Sequence, residues 1–441
     1  KKGEQAALPF YEKLKSLSSN YKKPPLKIET DSIQINKIEV NGLKNYTRAY
    51  IIGKLGFKPN TKISYSTLTK GINTINATQN FSSITYELND YYGNDELNLT
   101  LQENKIRTFL KFGLHYDGLY KSAILSNITQ KRILFKNDVL STDIILGDNF
   151  RYNLDYYIDN GFYFSFGLKS RYNQFNRNIL NDFNNGLTLN RLDINSINID
   201  FSDLTNQAYV QTIFAQKFLL GAGLEFKKVK ISTNTLQNTA SVFENSNYGS
   251  IFGSIKYDSF DNKYFPKKGW YFTGDMQTYL FSSNYSQQFQ RFSIAKADAG
   301  ITYTFFKKIN VKLQTEAGFS IGPKSVPFLN FVLGGYGYQP INNFKHFYGY
   351  DFLSVSGNSY IKSAATLDYE IFKKHHLNFA MNVANLGDGL FKTVDWISLP
   401  KYSGYAVGYG IESVIGPLEI KYSWSPELPK GYTWFSIGFW F

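Results

Sequence analysis

Gly431-Tyr-Thr-Trp-Phe-Ser-Ile-Gly-Phe-Trp-Phe441 ends the sequence, and its reading decides the fold. Phe435, Ile437, Phe439 and Phe441 fall on one side of a period-two pattern, and Trp434, Ser436, Gly438 and Trp440 fall on the other. One face is therefore wholly apolar and the opposite face mixed. An aromatic strand with no charged gatekeeper is a poor edge for a soluble sheet, because its apolar face and unpaired backbone invite aggregation. A transmembrane barrel uses both features: the apolar face meets lipid, and the edge pairs with the first strand to close the sheet. Such a barrel needs about seven further strands at least.

Working outward, composition agrees. Aromatic residues make up 17% of the 441, with 34 Tyr and 38 Phe, while Cys is 0. That suits aromatic girdles and an oxidising envelope in which free thiols are unwelcome. Mean hydropathy is -0.31, and no apolar run approaches the roughly 18 residues of a transmembrane helix. A barrel escapes that test, since every second residue of its strands faces a polar lumen. The net charge of +13 comes from Lys and Arg scattered along the chain, so nucleic acid is not the expected partner; anionic lipid headgroups or lumen lining are. Lys1 reads as a processed or truncated start.

Strands of ten or more residues recur after Asn104. Val311, Leu313, Thr315, Ala317 and Phe319 oppose Lys312, Gln314, Glu316, Gly318 and Ser320; Ile361, Ala365, Leu367 and Tyr369 oppose Lys362, Thr366, Asp368 and Glu370. Starts near 106, 119, 139, 150, 162, 188, 217, 247, 269, 288, 309, 359, 376, 402, 417 and 432 predict an antiparallel barrel of about 16 strands, within two. Residues 206–217 also fit a short helix. The longest connection, 322–357, far exceeds a hairpin and holds Gly334-Gly-Tyr-Gly-Tyr-Gln-Pro340 and Phe347-Tyr-Gly-Tyr350. The tight turns at 305–310 and 372–376 fit the opposite end of the barrel.

Three regions follow: 1–30, an N-terminal helix and linker stopped by Pro24-Pro25; 31–104, a small β-α-α-β-β unit; and 105–441, the barrel. In the middle region Ile38 and Val40 end a strand, Ala49, Ile52 and Leu55 form a helical stripe closed by Gly56, and Ser64 caps a second stripe at Leu68, Ile72 and Ile75. Two alternating strands complete it.

Chemistry is sparse. Gly318-Phe-Ser-Ile-Gly322 satisfies the pattern of a serine nucleophile elbow, yet Ser320 ends an alternating strand and precedes a loop, where the elbow requires a turn into a helix. Asp388-Gly389 sits in another loop. His375 and His376 point to opposite faces of a strand, a poor start for a shared metal. The expectation is no catalytic residue, no metal and no cofactor.

Several stretches carry a family resemblance. Ile38-Glu-Val-Asn-Gly42, with the element order around it, resembles the opening strand of a POTRA domain, the periplasmic module that precedes barrels of the BamA and two-partner-secretion superfamily. The terminal strand is similar to the C-terminal signal of bacterial outer-membrane proteins, which implies the barrel-assembly machinery as a partner during biogenesis. Phe347-Tyr348-Gly349-Tyr350 is similar to that superfamily's Val-Arg-Gly-Phe/Tyr motif, carried by a loop that folds into the lumen; Tyr348 stands where Arg is expected. The resemblance implies Asp368 as the strand partner of this loop, receiving a Tyr hydroxyl in place of the Arg. It also implies a short barrel seam between Leu110 and Phe112 of the first strand (106–116) and Phe435, Ile437, Gly438, Phe439 and Phe441 of the last, with Gly438 midway along it as a bend.

Lys2-Gly-Glu-Gln-Ala-Ala7 looks like the last helix of a patatin-like lipase domain. With one POTRA-like unit, the chain resembles the C-terminal half of a patatin-like phospholipase autotransporter. That implies a bacterial outer-membrane location with the POTRA-like unit in the periplasm, outer-membrane lipids around the barrel, and a covalently linked passenger. The alternatives left open are a stand-alone assembly or secretion factor receiving periplasmic clients, a diffusion pore, and pairing of two barrels as a homodimer.

Overall fold

The computed structural model describes residues 8–17, 32–91, 94–161, 164–180, 195–214, 218–233, 242–285, 287–306 and 308–438. The chain divides into two compact units, one of Lys1–Leu43 with Ile51–Asn104 and the other of Lys44–Tyr50 with Lys105–Phe441.

The first unit begins with a short helix, α1 (Tyr11–Leu17), and continues as β1 (Ser32–Asn41), α2 (Arg48–Leu55), β2 (Thr61–Ser64), α3 (Tyr65–Ala77), β3 (Phe81–Tyr91) and β4 (Asn94–Glu103). Its sheet runs β2-β1-β4-β3, with β1 and β4 parallel. The predicted order of β-α-α-β-β therefore gains a strand: β2 has only four residues and too short an alternation to be seen in sequence. Local signals act as read. The Gly56 N–H returns to Ile52 O at 3.2 Å with φ of 78°, and Ser64 Oγ accepts from Thr67 N at 3.1 Å. Ile52, Leu55, Leu68 and Ile75 are buried with Leu97 and Leu99.

The second unit is a closed barrel of sixteen antiparallel strands: β5 (Thr108–Asp117), β6 (Lys121–Lys131), β7 (Asp138–Gly147), β8 (Arg151–Ile158), β9 (Ser165–Ile179), β10 (Ile197–Phe214), β11 (Phe218–Ser232), β12 (Val242–Asp258), β13 (Gly269–Ser283), β14 (Phe292–Phe305) and β15 (Ile309–Ile321). Inside the long connection lie β16 (Phe331–Leu333), β17 (Phe344–Lys345) and β18 (Val355–Gly357), and the barrel resumes with β19 (Ser359–Phe372), β20 (His375–Gly387), β21 (Tyr402–Ser413), β22 (Gly416–Trp424) and β23 (Tyr432–Ile437). Residues 206–214 belong to β10, paired with β11 throughout and with β9 as far as Gln211, so the helical alternative there is wrong. β10 begins at Ile197, not near 188.

An even strand count brings β5 in and β23 out at one end, called here the entry end; the opposite end is the far end. Faces separate as alternation requires. Leu313, Phe319, Leu367 and Tyr369 are exposed on the outside, while Glu316 and Lys362 are buried inside. One expectation needs correction. The lumen is not polar throughout, because many inward residues of the far half are apolar and pack on the long connection, beside buried polar ones such as Asp117, Arg151 and Glu244. Phe175 and Phe201 stack with centroids 4.8 Å apart, and Phe344 of the connection meets Phe201 at 5.5 Å. All belong to one buried cluster with Ile231, Tyr279 and Phe331. Isolated strands do not reveal this, since their inward residues reach a packing partner only after the loop folds in.

Candidate functional site

The long connection carries its own three-stranded sheet, β17-β16-β18, and its apolar side chains give it reason to enter the barrel: Phe331, Val332, Leu333, Phe347 and Leu353 are fully buried. Phe347 N donates to Gly335 O and Gly335 N to Tyr350 O, both at 3.0 Å, which fixes the turn containing the motif.

The motif docks on the wall through its backbone. Tyr348 N donates to Asn382 Oδ1 at 2.7 Å, and Gly349 N donates to Ser423 Oγ at 3.1 Å. Gly349 has φ of 84°, and a Cβ there would lie 2.6 Å from Trp424 O, so glycine is required twice over. Tyr350 OH donates to Glu427 Oε2 at 3.3 Å. Ser423 Oγ also accepts from Trp434 Nε1 of β23 at 2.7 Å. One hydroxyl thus joins the loop motif to the closing strand.

Tyr348 does not reach Asp368. The Asp368 carboxylate meets His376 Nδ1 at 2.9 Å and Asn310 Nδ2 at 3.2 Å, both on neighbouring wall strands. Tyr348 instead lies with Tyr336, ring centroids 5.0 Å apart, above the Lys421 ammonium, which is 4.1 Å from the Tyr336 centroid and 5.8 Å from that of Tyr348. Lys421 Nζ donates to Tyr336 OH at 2.7 Å, and that hydroxyl donates to Glu419 Oε2 at 3.0 Å. The cation is on the wall and the aromatic on the loop.

The loop's own cation is Lys345, which sequence reading passed over. Its ammonium lies 3.0 Å from Glu316 Oε2 on β15, and Lys362 of β19 pairs with the other oxygen of the same carboxylate. Lys362 Nζ also donates to His346 O at 3.1 Å. Burial disfavours the Lys345 ammonium, but the Glu316 carboxylate beside it outweighs this and raises its pKa, whereas burial, with Lys362 close by, pushes His346 down to about 3. His346 Nε2 donates to Tyr338 O at 2.7 Å, which identifies the protonated nitrogen. An isolated Lys at the end of a two-residue strand carries no sequence signal of its partner, because Glu316 is set opposite it only by barrel register.

Among the described residues β23 and β5 share one registered pair, Ile437 opposite Tyr116; the Tyr116 and Phe435 rings lie 5.9 Å apart on the outside. Leu110 and Phe112, 61% and 75% exposed, stand beyond that pair on the outer face. Gly438 directly follows the described span of β23, with φ of 89°, a bend. A Cβ there would lie 1.9 Å from Leu114 O, and Gly438 N donates to Pro417 O at 2.9 Å. Phe439 and Phe441 lie outside the described residues.

The lipase-like motifs meet in one cleft at the far end, lined by Ser320, Asp388 and Gly389. Ser320 Oγ has no hydrogen-bond partner among the described residues, and Asp388 Oδ1 accepts from Asn358 N at 3.0 Å. Among the described residues no base is hydrogen-bonded to the serine.

With this geometry in view, the family model described as the OMP85 superfamily matches residues 95–441. The chain belongs to the OMP85 superfamily. Solved structures similar to this OMP85 chain include BamA from Haemophilus ducreyi lacking POTRA domains 1-3, at TM-score 0.60 and 13% identity, covering 92% of this chain and 84% of that one. CdiB from Acinetobacter baumannii gives 0.57 and 14%, covering 92% and 74%. CdiB from Escherichia coli gives 0.51 and 9%, covering 95% and 92%. At these identities the likeness is one of fold. No curated protein matches the chain. OMP85 barrels are outer-membrane proteins.

Proposed function

We propose that this OMP85 barrel anchors a patatin-like lipase passenger in the outer membrane and exports or presents it, handling polypeptide at the β5–β23 seam. The observation that supports the seam reading is the pair Ile437–Tyr116, the one registered pair of β23 with β5 among the described residues, beside a far half filled by the inner loop. Sheet edges joined by fewer backbone hydrogen bonds part at lower cost than edges joined along a full strand. A filled lumen argues against a diffusion pore.

The passenger rests on the resemblance of Lys2–Ala7, which lies outside the described residues. In this reading the first unit is a POTRA domain in the periplasm, the entry end of the barrel faces the periplasm and the far end faces out. Outer-membrane lipids cover the exposed Leu and Phe band, and the barrel-assembly machinery inserts the chain through its terminal strand. Reading the gene upstream of Lys1 tests the passenger: a patatin-like domain with its own serine and Asp-Gly motifs is expected, and a secretion signal joined directly to the first unit would replace this reading with a stand-alone assembly or secretion factor. The outward face also bears on a homodimer, which cross-linking in native membranes would detect as a discrete doubled band.

A further inference from the structure

The connection 259–268 between β12 and β13, at the entry end, starts as a hairpin, with Ser259 N donating to Trp270 O at 3.0 Å and Asp261 N to Lys268 O at 3.3 Å, and then carries its tip inward. It crosses the inside of the barrel. Thr302 Oγ1 of β14 donates to Pro266 O at 3.2 Å and Thr304 Oγ1 to Lys267 O at 2.6 Å. Lys267 Nζ pairs with Glu370 of β19 at 2.5 Å, and Asn262 Nδ2 donates to Glu412 Oε2 of β21 at 3.3 Å. Between them Phe265, 6% exposed, lies flat on His376 of β20, centroids 4.1 Å apart and planes 11° apart. Both nitrogens of that imidazole face carboxylates, Asp368 at 2.9 Å and Glu412 at 3.1 Å. Carboxylates only accept, so the geometry suits an imidazolium, and the Phe265 face then rests on a cation.

The seat is prepared by absent side chains. Gly404, Ala406, Gly408 and Gly410 alternate along the inner face of β21. A Cβ at Gly410 would lie 2.8 Å from the Phe265 ring, and one at Gly404 would lie 1.8 Å from Tyr348 O. The entry-end turn and the inner loop therefore dock on two ends of one bare track. Between them is a cavity of about 330 Å³ lined by Phe265, Lys312, Tyr348, Asp368, Asn378 and Asn382 among others. Asn378 Oδ1, Asn382 Nδ2 and Asp368 Oδ1 have no protein hydrogen-bond partner among the described residues, so the chamber is polar and suited to water.

We infer that segment 259–268 is a stopper that closes the entry mouth of the barrel by seating Phe265 on His376 and Gly410, and that its withdrawal opens this polar chamber to solvent. The closure concerns one end of the barrel and stands apart from the proposed passenger and seam.

The chain has 0 Cys, so Ala364→Cys places a single thiol in the chamber. In the purified, heat-modifiable barrel it is treated with a charged, membrane-impermeant maleimide. The intact turn gives slow labelling. Phe265→Ala with Lys267→Ala, and separately Gly410→Val, which spoils the seat without touching the turn, each accelerate labelling about tenfold or more, since reaction follows the open population. Carbodiimide coupling of Lys267 to Glu370 in the single-Cys protein, verified by peptide mapping, suppresses labelling below the intact rate. This last arm needs no destabilising substitution. An unchanged rate in the coupled protein, or folded turn and seat variants that label like the parent, overturns the inference.

Discussion

Lys345 of the inner loop and Glu316 of the wall stand 3.0 Å apart in the lumen, and Lys362 closes on the same carboxylate from β19. This trio does the anchoring that sequence resemblance assigns to an Arg and an Asp. Removing the shared anion leaves two buried ammonium groups facing each other. Glu316→Gln should cost about 3–5 kcal/mol, seen as a lower temperature of heat-modifiable migration, and should open 322–358 to protease. Glu316→Asp should restore part of both. Unchanged protection in Glu316→Gln would show that apolar packing alone retains the loop.

The glycines at the dock make a separate prediction. A Cβ at Gly404 would meet Tyr348 O at 1.8 Å, with no room for adjustment in a sheet backbone. Gly404→Val should destabilise the docked loop by about 1–3 kcal/mol as an overpacked site, with proteolysis at the loop appearing before barrel unfolding. Val407→Leu, on the exposed opposite face of the same strand, should leave loop proteolysis unchanged.

Strand positions and count were legible because period-two alternation survives whatever the strands enclose: Val311 to Ser320 reads the same in sequence and in the wall. Ser64 and Gly56 were legible for the same reason, being local. What the alternation does not carry is register between distant strands. Lys345 and Glu316, Phe265 and His376, and Ser423 with both Gly349 and Trp434 are brought together by barrel closure and an inward loop. The apolar far half was hidden because its partners lie on a connection that alternation does not describe. Gly438 was legible as a bend because glycine alone takes its φ of 89° without strain.

His346 supplies a pH dependence of known sign. Its pKa is pushed down to about 3 by burial and the nearby Lys362, so the folded loop holds the neutral ring. The stability this provides is complete above the ordinary histidine range near 6.5 and is lost as pH falls from there toward 3. Loop protection measured against pH should fall more steeply in the parent than in His346→Gln, which keeps a donor toward Tyr338 O and cannot titrate. Parallel curves would remove His346 from the account.

Gly438→Val places a Cβ 1.9 Å from the Leu114 carbonyl at a backbone φ of 89° that favours glycine. The expected result is a smaller heat-modifiable fraction on refolding into lipid, with any folded product stable, because the fault lies in closing the sheet. A normal folded yield would mean that the chain end takes another path past β5.

The central claim is that the wall parts at β5–β23 to handle polypeptide. Tyr116 and Ile437 are directly opposed across antiparallel strands, a spacing that accepts a disulfide, and the chain has 0 Cys to compete. The decisive measurement is the surface exposure of the full-length gene product carrying Tyr116→Cys and Ile437→Cys, with and without reductant. The account predicts loss of exposure when the bridge forms and recovery on reduction. Full exposure with the seam locked would contradict it.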